Sequence, residues 1–331
     1  MSELEAKKIA FSSYLKNGVT IGIPLYNEEN FIEIAVRSAA RQCQYLLISD
    51  NGSTDKSFEI CQLLAREYKN ITIFRQPKNE GSAKNFKFLL DNADTPFFMW
   101  LGAHDKLPEN YVEVLLAQFK LDDSAGLAFG SVINVDRFGK EISRYDYFFA
   151  RLLADSQPSR RFCAIVIYLH DCSLIHGLFK TAQLKNIWTD SNYLGSDHVI
   201  LARLAYLSKL IYQPTIALFR RDLRSQDSPS AQWRRISGHD FGAVKDRRLT
   251  KRQMQKALFS MAKEIAPEKH FSRWVFVAKI YLSLISRFGD FSDSSILSIL
   301  EIIFYNISRI KRIITMRSSR HQGLVPIDEN R

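Results

Sequence analysis

Two polar clusters stand directly after short apolar runs near the start of the chain. "YNEE" (26–29) follows "VTIGIPL" (19–25), and "DNGSTD" (50–55) follows "YLLIS" (45–49). Carboxylates accept N–H and O–H donors, and a tyrosine offers a ring face and a hydroxyl. Because open α/β sheets bind ligands at the carboxyl ends of their strands, these clusters favour a binding site for a polar small molecule.

Asp50 carries the sharpest chemical signal, since it stands between a strand and a turn made by Asn51, Gly52 and Ser53. A carboxylate there can accept the N3–H of a uracil-like base through a charge-assisted hydrogen bond. Tyr26 can contact the base or ribose, and Glu28 can accept ribose hydroxyls or simply lie in the first turn of a helix. Taken alone, "DNGSTD" is better explained by a tight turn and a helix N-cap. Two such clusters after consecutive strands favour the binding site instead.

The elements that must position these clusters follow from the apolar pattern. Strands are predicted at 19–25, 45–49, 71–74, 96–102 and 126–135, with helices between them. Asn27 and Asp55 are predicted N-caps, and Pro108 is predicted in the first turn of a helix. Beyond Gly139 the pattern predicts a return strand at 172–179, a helix at 196–208 and a strand at 210–221. This alternation favours an α/β fold with a mainly parallel, doubly wound sheet.

Composition and charge narrow the class of partner. The 331 residues are 46% hydrophobic and 24% charged, as in a globular protein with a core, and the formal net charge is +11. The segment 220–273 carries 14 Lys or Arg residues against 6 Asp or Glu, a net charge of +8. An anionic partner is therefore expected, whether a nucleotide, an acidic membrane surface or a nucleic acid. The segment lacks the interleaved aromatic residues of a stacking platform, which argues against a nucleic acid.

The cysteine pattern and the apolar runs predict a cytoplasmic protein. The four cysteines form no CxxC pair and no zinc spacing, which favours a reducing compartment. Residues 1–18 lack the apolar stretch of a signal peptide. No uncharged run approaches the ~20 residues that a membrane-spanning helix needs.

The last hundred residues read as helical, basic and amphipathic. Apolar residues share one helix face between 274 and 288, and a second apolar stretch near 294–314 is followed by basic residues. Two interpretations stay open. The helices could lie on the inner face of the cell membrane, with basic residues against anionic headgroups, or pack as a hairpin on the main domain.

The two clusters and their spacing resemble the opening of family 2 glycosyltransferases, enzymes with the GT-A fold. The family pattern P-x-Y-N-E, then a helix and a strand, then D-[DN]-G-S-x-D is met throughout, at Pro24, Tyr26, Asn27, Glu28, Asp50, Asn51, Gly52, Ser53 and Asp55. The similarity continues through "NEGSAKNFKFLLDNADTPFFMWLGAHD" and more weakly to about residue 224. It implies an N-terminal extension at 1–17, a GT-A domain at 18–225 and a helical extension at 226–331.

The resemblance also implies residues that bind a nucleotide-sugar donor. Pro24, Tyr26, Asn27, Glu28, Asp50 and Gly52 would contact the nucleoside. Gly81 and Lys84 would lie near the diphosphate, where the family usually has Arg; a solvated helix residue is an equal explanation for Lys84. Arg221, with its basic neighbours, would close over the diphosphate, unless it forms a solvated basic edge.

The stretch "WLGAHDKLP" (100–108) departs from the family, which places a D-x-D cluster here to hold Mg²⁺ or Mn²⁺. Only Asp105 is acidic, with His104 beside it and Gly102 or Ala103 where another acid would fall. Asp105 is the expected metal ligand, and His104 is expected to lie at the donor. If His104 also binds the metal, its imidazole would favour Mn²⁺ over Mg²⁺. Weak metal binding, replacement of the metal by basic residues, and a merely capping Asp105 remain alternatives.

"GSDHVI" (195–200) resembles the family's E-D motif, with Ser196 where Glu is common. Asp197 is the expected catalytic base, which takes a proton from the acceptor hydroxyl; its alternative is a helix cap. His176 aligns with a position that lines the acceptor pocket, although a lone histidine is more often structural.

The expected function is therefore inverting transfer of a sugar from a nucleotide-sugar donor, expected to be UDP-linked, to a hydroxyl of a glycan or lipid-linked acceptor. Bacterial surface polysaccharide assembly by a peripheral membrane enzyme fits the basic tail. The alternative is a catalytically impaired relative that binds nucleotide sugars or acts as a scaffold. The degenerate acidic cluster favours this alternative.

Overall fold

The computed structural model describes residues 18–188, 195–223, 245–265, 276–278 and 280. The chain divides into two compact units, Met1–Leu258 and Phe259–Arg331, and the sheet belongs to the first. The boundary expected at 225/226, and most of the two helical stretches expected at 274–288 and 294–314, lie outside the described residues. No helix among the described residues is both long enough and apolar enough to cross a membrane.

The first unit is built on an eight-stranded sheet. Its strands are β1 (Val19–Leu25), β2 (Tyr45–Asp50), β3 (Ile71–Arg75), β4 (Phe97–Trp100), β5 (Ala125–Val135), β6 (Glu141–Tyr145), β7 (Leu178–Lys180) and β8 (Lys209–Arg221). The order along the sheet is β3-β2-β1-β4-β7-β5-β6, and β8 pairs with β5. The chain therefore reverses its direction of winding between β1 and β4, which is the switch point where ligands bind in such sheets.

The sheet is parallel in one half and mixed in the other. Strands β1 to β4 pair in parallel. Strand β7 lies antiparallel between β4 and β5, β6 is antiparallel to β5, and β8 is parallel to β5. The expected doubly wound sheet is thus confirmed in its first half and continues as a mixed sheet.

Helices cover both faces of the parallel half. The described helices are α1 (Ile32–Ala40), α2 (Ser57–Glu67), α3 (Ser82–Asp91), α4 (Tyr111–Leu121), α5 (Ala150–Leu153), α6 (Pro158–Tyr168), α7 (Thr181–Ile187), α8 (Ser196–Leu207) and α9 (Lys245–Ile265), with a 3-10 helix at Cys172–His176. Ile21 and Ile23 share a buried cluster with α1, α2 and α4. Gly22 between them faces Leu89 of α3, where an added Cβ would lie 3.1 Å from the Leu89 Cβ. Because successive residues of β1 face opposite helix layers, this strand is apolar throughout.

Aromatic side chains fill the core beside α3 and α7. Trp100 is fully buried, and its ring lies against Phe86, Phe98, Phe179 and Trp188. The Trp100 indole N–H donates to the Phe86 carbonyl at 3.1 Å, which satisfies its one polar atom. This packing fixes the strand that leads to "GAHD".

Three local expectations were wrong. Asn27 does not cap α1, because it adopts a left-handed φ of 53° and the helix begins at Ile32, five residues later. Helix α4 begins at Tyr111 after Asn110, so Pro108 precedes the helix rather than lying in its first turn. The predicted strand at 172–179 begins as the 3-10 helix Cys172–His176, and only Leu178–Lys180 forms a strand.

Candidate active site

The loops after β1 and β2 are held together by reciprocal hydrogen bonds. Leu25 and Asp50 are partners in the parallel register, and the Asn51 N–H donates to the Leu25 carbonyl at 2.9 Å. The Asn27 N–H donates to Ser53 Oγ at 3.0 Å, while Asn27 Oδ1 accepts from the Thr54 N–H at 2.8 Å. The two polar clusters, and Tyr26 between Leu25 and Asn27, therefore belong to one edge of the sheet.

A second set of contacts extends this junction toward α2. The Glu28 N–H donates to Ser57 Oγ at 2.8 Å, and the Glu29 N–H donates to Asp55 Oδ2 at 3.1 Å. Asp55 Oδ1 also accepts from the Ser57 N–H at 3.0 Å, but Lys56 occupies the N-cap position of α2, one residue after the predicted Asp55. Because the side chains of one cluster satisfy the backbone of the other, their spacing is set before any ligand binds.

Asp50 is fully buried at the end of β2, and its two oxygens differ. Oδ1 accepts from the Ser53 N–H at 3.0 Å. Oδ2 has no hydrogen-bond partner within the part of the chain that the structure describes, although Arg75 Nε lies 3.4 Å from it. A buried carboxylate oxygen without a donor is costly, so this atom is a ready acceptor for a ligand N–H.

The glycines beside Asp50 bring the backbone close. Gly52 has a φ of 77°, and an added Cβ would lie 2.9 Å from the Lys78 backbone. Gly81, with a φ of 91°, precedes α3, and its carbonyl accepts from Asn51 Nδ2 at 3.2 Å. A side chain at Gly52 would therefore push the two backbone segments apart, whereas at Gly81 the left-handed φ is what disfavours a side chain.

Pro24 and Lys84 lie at the margins of this region. Pro24 pairs with Ser49 inside the sheet. The Lys84 side chain is 61% exposed, and its Nζ lies 3.3 Å from Glu80 Oε2 on the preceding turn. Lys84 therefore lies at the solvent-facing start of α3, near Gly81.

The loop after β4 joins the same edge through Glu28. His104 Nδ1 lies 2.9 Å from Glu28 Oε1, and His104 Nε2 lies 3.9 Å from Asp105 Oδ1. Both His104 and Asp105 are buried. The structure thus brings Glu28 of the first polar cluster together with the loop that carries His104 and Asp105.

The missing acid of this loop has a steric explanation. A Cβ at Gly102 would lie 2.4 Å from Asp105 Oδ2, so the Asp105 carboxylate fills the space that a side chain at 102 would need. The space beside position 102 can hold either a side chain of that residue or the Asp105 carboxylate, and in this chain it holds the Asp105 carboxylate. A glycine at 102 fits this arrangement, whereas a second acid does not.

Arg221 and His176 enclose this loop from the other side. The Arg221 N–H donates to Asp105 Oδ1 at 2.9 Å, and Arg221 Nη1 donates to the His104 carbonyl at 2.7 Å. The guanidinium also lies over the Phe31 ring at 4.7 Å. His176 Nδ1 lies 3.1 Å from the Trp100 carbonyl, and burial lowers its pKa against the opposing charge of Asp105.

Asp197 lies in a different set of contacts, at the start of α8. Its Oδ1 accepts from the His198 N–H at 2.9 Å and lies 3.6 Å from His198 Nδ1. Burial alone would raise the pKa of Asp197, but hydrogen bonds from His198 and Cys172 outweigh it and hold the pKa below its ordinary value. Asp197 is therefore a carboxylate at neutral pH. Cys172 and His176 are the two ends of one 3-10 helix, which links this cluster to the β4 loop.

The β4 loop fits a divalent metal only with two protein ligands. His104 Nε2 and the Asp105 carboxylate are the available donors, since His104 Nδ1 is occupied by Glu28. In the described residues, no third His, Cys, Asp or Glu atom completes a compact ligand group at this loop. Two ligands suit a metal that also binds substrate phosphates.

Sequence reasoning missed Arg75, Cys172 and His198. Arg75 is the last residue of β3 and lies beside Asp50, the last residue of β2. Asp50 was identified from the sequence at its strand end, whereas Arg75 at the next strand end was not considered. His198 is adjacent to Asp197, a signal that was available. Cys172 is brought to His198 only by the fold, because 26 residues separate them.

Comparison with known proteins agrees with this geometry. The family model described as Glycosyl transferase family 2 matches residues 20–178. The teichoic acid poly(glycerol phosphate) polymerase of Staphylococcus epidermidis is 32% identical over 111 residues, which are 32% of this chain and 15% of that protein. The glycosyltransferase GlyG of Streptococcus pneumoniae is 24% identical over 121 residues, 36% of this chain and 40% of that protein. The chain thus spans less than half the length of these two relatives.

Solved structures show the same fold. The crystal structure of S. aureus TarS 1–349 in complex with UDP-GlcNAc has a TM-score of 0.58 and 16% sequence identity, covering 81% of this chain and 73% of that one. The complex of the same protein with UDP has a TM-score of 0.51 and 14% identity, covering 83% and 93%. The interlocked strand-end loops and most of the GT-A-like mixed sheet lie within residues 20–178, the part of this chain that is similar to glycosyltransferase family 2.

Proposed function

We propose that this chain is an inverting glycosyltransferase that moves a sugar from a UDP-sugar to a hydroxyl of a glycan or lipid-linked acceptor, in the synthesis of a bacterial surface polysaccharide. The observation that carries the proposal is the buried Asp50 Oδ2, which has no hydrogen-bond donor among the described residues and belongs to the edge where Tyr26 and Glu28 lie. The similarity to a teichoic acid polymerase and to a chondroitin synthase supports a polymer acceptor.

Asp50 would read the base. Its Oδ2 accepts the N3–H of uracil, whereas the N3 of cytosine is itself an acceptor and would be repelled. Tyr26 and Glu28 would contact the base and ribose, and Pro24, Asn27 and Gly52 shape the wall around them.

His104 and Asp105 would hold a divalent metal on the diphosphate, with Gly81, Lys84 and Arg221 near the same group. When bound, the metal stabilises the negative charge of the leaving nucleoside diphosphate. Glu28 orients His104 through Nδ1, and the Arg221 N–H fixes Asp105 Oδ1.

Asp197 would act as the base. A carboxylate with a lowered pKa stays ionised at neutral pH, and it would take the proton of the acceptor hydroxyl as that oxygen attacks the anomeric carbon from the side opposite the leaving group. His176 would line the acceptor side of the pocket. The reaction would occur in the cytoplasm, at the inner face of the membrane, where the basic C-terminal segment meets anionic lipid.

The test compares UDP and CDP binding to the wild type and to Asp50→Asn by titration calorimetry. The wild type should prefer UDP. Asp50→Asn should weaken UDP binding about 10- to 150-fold, because a hydrogen bond to a charged group is worth about 1.5–3 kcal/mol. It should also narrow the preference for UDP over CDP, since an amide can donate to cytosine N3.

Asp91→Asn is the matched control, because Asp91 is an exposed carboxylate that pairs with Lys87 at 2.6 Å on the surface of α3. It should leave both affinities unchanged. Equal binding of UDP by wild type and Asp50→Asn would contradict the assignment of Asp50.

The second candidate is a relative that binds nucleotide sugars without efficient transfer. The crowding of position 102 by the Asp105 carboxylate favours it, since a second acid there would require Asp105 to move. Under this alternative the UDP affinities above would hold, but UDP would not be released from UDP-sugars with Mn²⁺ and acceptor present.

A further inference from the structure

A second group of metal-binding side chains lies away from the β4 loop. Cys172 Sγ, His198 Nδ1 and an Asp197 carboxylate oxygen all lie within 4.8 Å of one another. Cys172 belongs to the 3-10 helix before β7, and the other two residues begin α8. The tertiary fold therefore assembles a thiol, an imidazole and a carboxylate from two separate elements.

The imidazole of His198 is already oriented for metal binding. Its Nε2 lies 3.0 Å from the Leu169 carbonyl, and a carbonyl can only accept, so Nε2 carries the hydrogen. This leaves the Nδ1 lone pair for a metal ion. Cys172 Sγ lies beside the ring, 2.7 Å from Nδ1 and 3.5 Å from Nε2, so it is off the lone-pair axis and would have to move toward that axis to share an ion with Nδ1. A ligating histidine characteristically donates its other ring N–H to a backbone carbonyl in this way.

The cysteine is held by a separate set of contacts. Asp171, just before it, accepts from the Ser173 N–H at 2.7 Å. Arg220 Nη1 donates both to Asp171 Oδ2 and to Ser173 Oγ. These bonds clamp the residues on both sides of Cys172, so its thiol is positioned without help from a ligand.

The spacing suits a tetrahedral ion after a small adjustment. Zinc bonds of 2.0–2.3 Å place neighbouring ligand atoms about 3.4–3.6 Å apart. Asp197 Oδ1 and His198 Nδ1 are already 3.6 Å apart, and Cys172 Sγ would have to withdraw from Nδ1 by about 0.8 Å. The Asp197 side chain is 40% exposed while that of His198 is 13% exposed, so an ion can enter past the carboxylate.

We propose that Cys172, Asp197 and His198 form a zinc-selective site whose occupation switches the enzyme off. Thiolate and imidazole ligands favour Zn²⁺ over Mg²⁺, so this site is distinct in metal preference from the donor site. Zinc forms one bond each to sulfur, nitrogen and oxygen; the S–H bond breaks and its proton passes to water. The inhibitory part rests on the proposed function, because a metal-bound Asp197 carboxylate cannot take the acceptor's proton.

The binding test uses Co²⁺ as a spectroscopic probe on the full chain. Wild type should bind one Co²⁺ with a thiolate-to-cobalt charge-transfer band, which Zn²⁺ abolishes and excess Mg²⁺ does not. Cys172→Ser should lose the band, and His198→Ala should weaken binding at least 10-fold. Cys163→Ser is the matched control, since Cys163 is a half-buried cysteine on α6 that forms no disulfide, and it should behave as wild type.

Thermal unfolding without metal shows whether each variant is folded. A band that persists in Cys172→Ser, or that disappears in Cys163→Ser, overturns the site, and so does the absence of stoichiometric binding by the wild type.

Transfer assays with Mn²⁺ and added Zn²⁺ separate this inference from the proposed function. Half-inhibition of Cys163→Ser should require the same Zn²⁺ concentration as wild type, and that of His198→Ala at least 10-fold more. Zinc that binds stoichiometrically without slowing transfer overturns the switch. A wild type that binds zinc but transfers no sugar in Mn²⁺ without zinc overturns the proposed function and leaves the metal site intact.

Discussion

Individual side chains in this site each serve a neighbour as well as a ligand. Glu28 sets the ring of His104 through a 2.9 Å contact, and Gly102 leaves space for the carboxylate of Asp105. Asp50 fixes its own turn with one oxygen and keeps the other for a donor. Because these roles are coupled, substitutions here are expected to change binding through position as well as through charge.

Asp197→Asn should slow sugar transfer about 10²- to 10⁴-fold, the usual contribution of a general base. The amide keeps the size of the carboxylate and its carbonyl oxygen for the His198 N–H, but it cannot take the acceptor's proton. The affinity for UDP should stay unchanged, since the donor loops are on other elements. Steady-state kinetics and UDP titration measure the two effects.

Asp123→Asn provides the control for that variant, because the Asp123 side chain is 99% exposed and, within the described part of the chain, forms an ion pair only with Lys180. It should transfer sugar at the wild-type rate. If Asp197→Asn retained more than about a third of the wild-type rate, another group would have to be the base.

Asp197 lies at the start of α8, and the position of this helix depends on its contact with α6. Arg161 of α6 links the two helices. Arg161 lies buried on α6 and donates to the Ala205 and Tyr206 carbonyls in the last turn of α8, at 2.7 and 3.0 Å. It also donates to the Asp155 carbonyl at 2.7 Å. Since helix ends leave carbonyls unpaired, this guanidinium caps α8 at the end opposite Asp197.

Arg161→Leu should lower the free energy of unfolding by about 2–4 kcal/mol, because the carbonyls that it pairs with would be left buried without donors. Arg160→Leu on the same helix is the comparison, since the Arg160 side chain is 61% exposed and pairs only with Asp155 among the described residues. It should cost less than about 1 kcal/mol. Urea denaturation of the two variants measures the difference, and equal losses would contradict the capping role.

At the scale of the whole molecule, the charge of +11 predicts a location at anionic surfaces. The full chain should sediment with vesicles that contain anionic lipid and not with neutral ones. Binding should weaken as salt rises from about 0.1 M to about 1 M, because the Debye length falls from about 10 Å to about 3 Å. A vesicle sedimentation series measures this.

Neutralising Arg309, Lys311 and Arg312 to Gln should weaken vesicle binding, whereas the same change at Lys69, Lys87 and Lys140 of the sheet unit should have a smaller effect. The first three lie outside the described residues and are chosen from the sequence alone. If both sets of substitutions weakened vesicle binding equally, the attraction would depend only on net charge. Binding of the full chain to neutral vesicles would contradict electrostatic attraction to the membrane.

Local sequence patterns were enough to determine the parallel half of this protein. β1, β2 and β3 agree with the predicted strands to within one residue, because short apolar runs between polar turns leave few alternatives. The same runs placed the polar clusters at strand ends, and the structure joins Tyr26, Asp50 and Glu28 at one edge. The family likeness added the expected roles of these residues, which stay predictions.

Only the tertiary structure determined the mixed half of the sheet and the contacts between distant segments. The 3-10 helix at Cys172–His176, the antiparallel insertion of β7 and the meeting of Cys172 with His198 depend on contacts between distant segments, to which periodicity is blind. The absence of an acid at position 102 likewise became intelligible only when Asp105 was seen to fill that space. Sequence pattern reports which face of an element is apolar, whereas the volume left for each side chain is set by what packs opposite it.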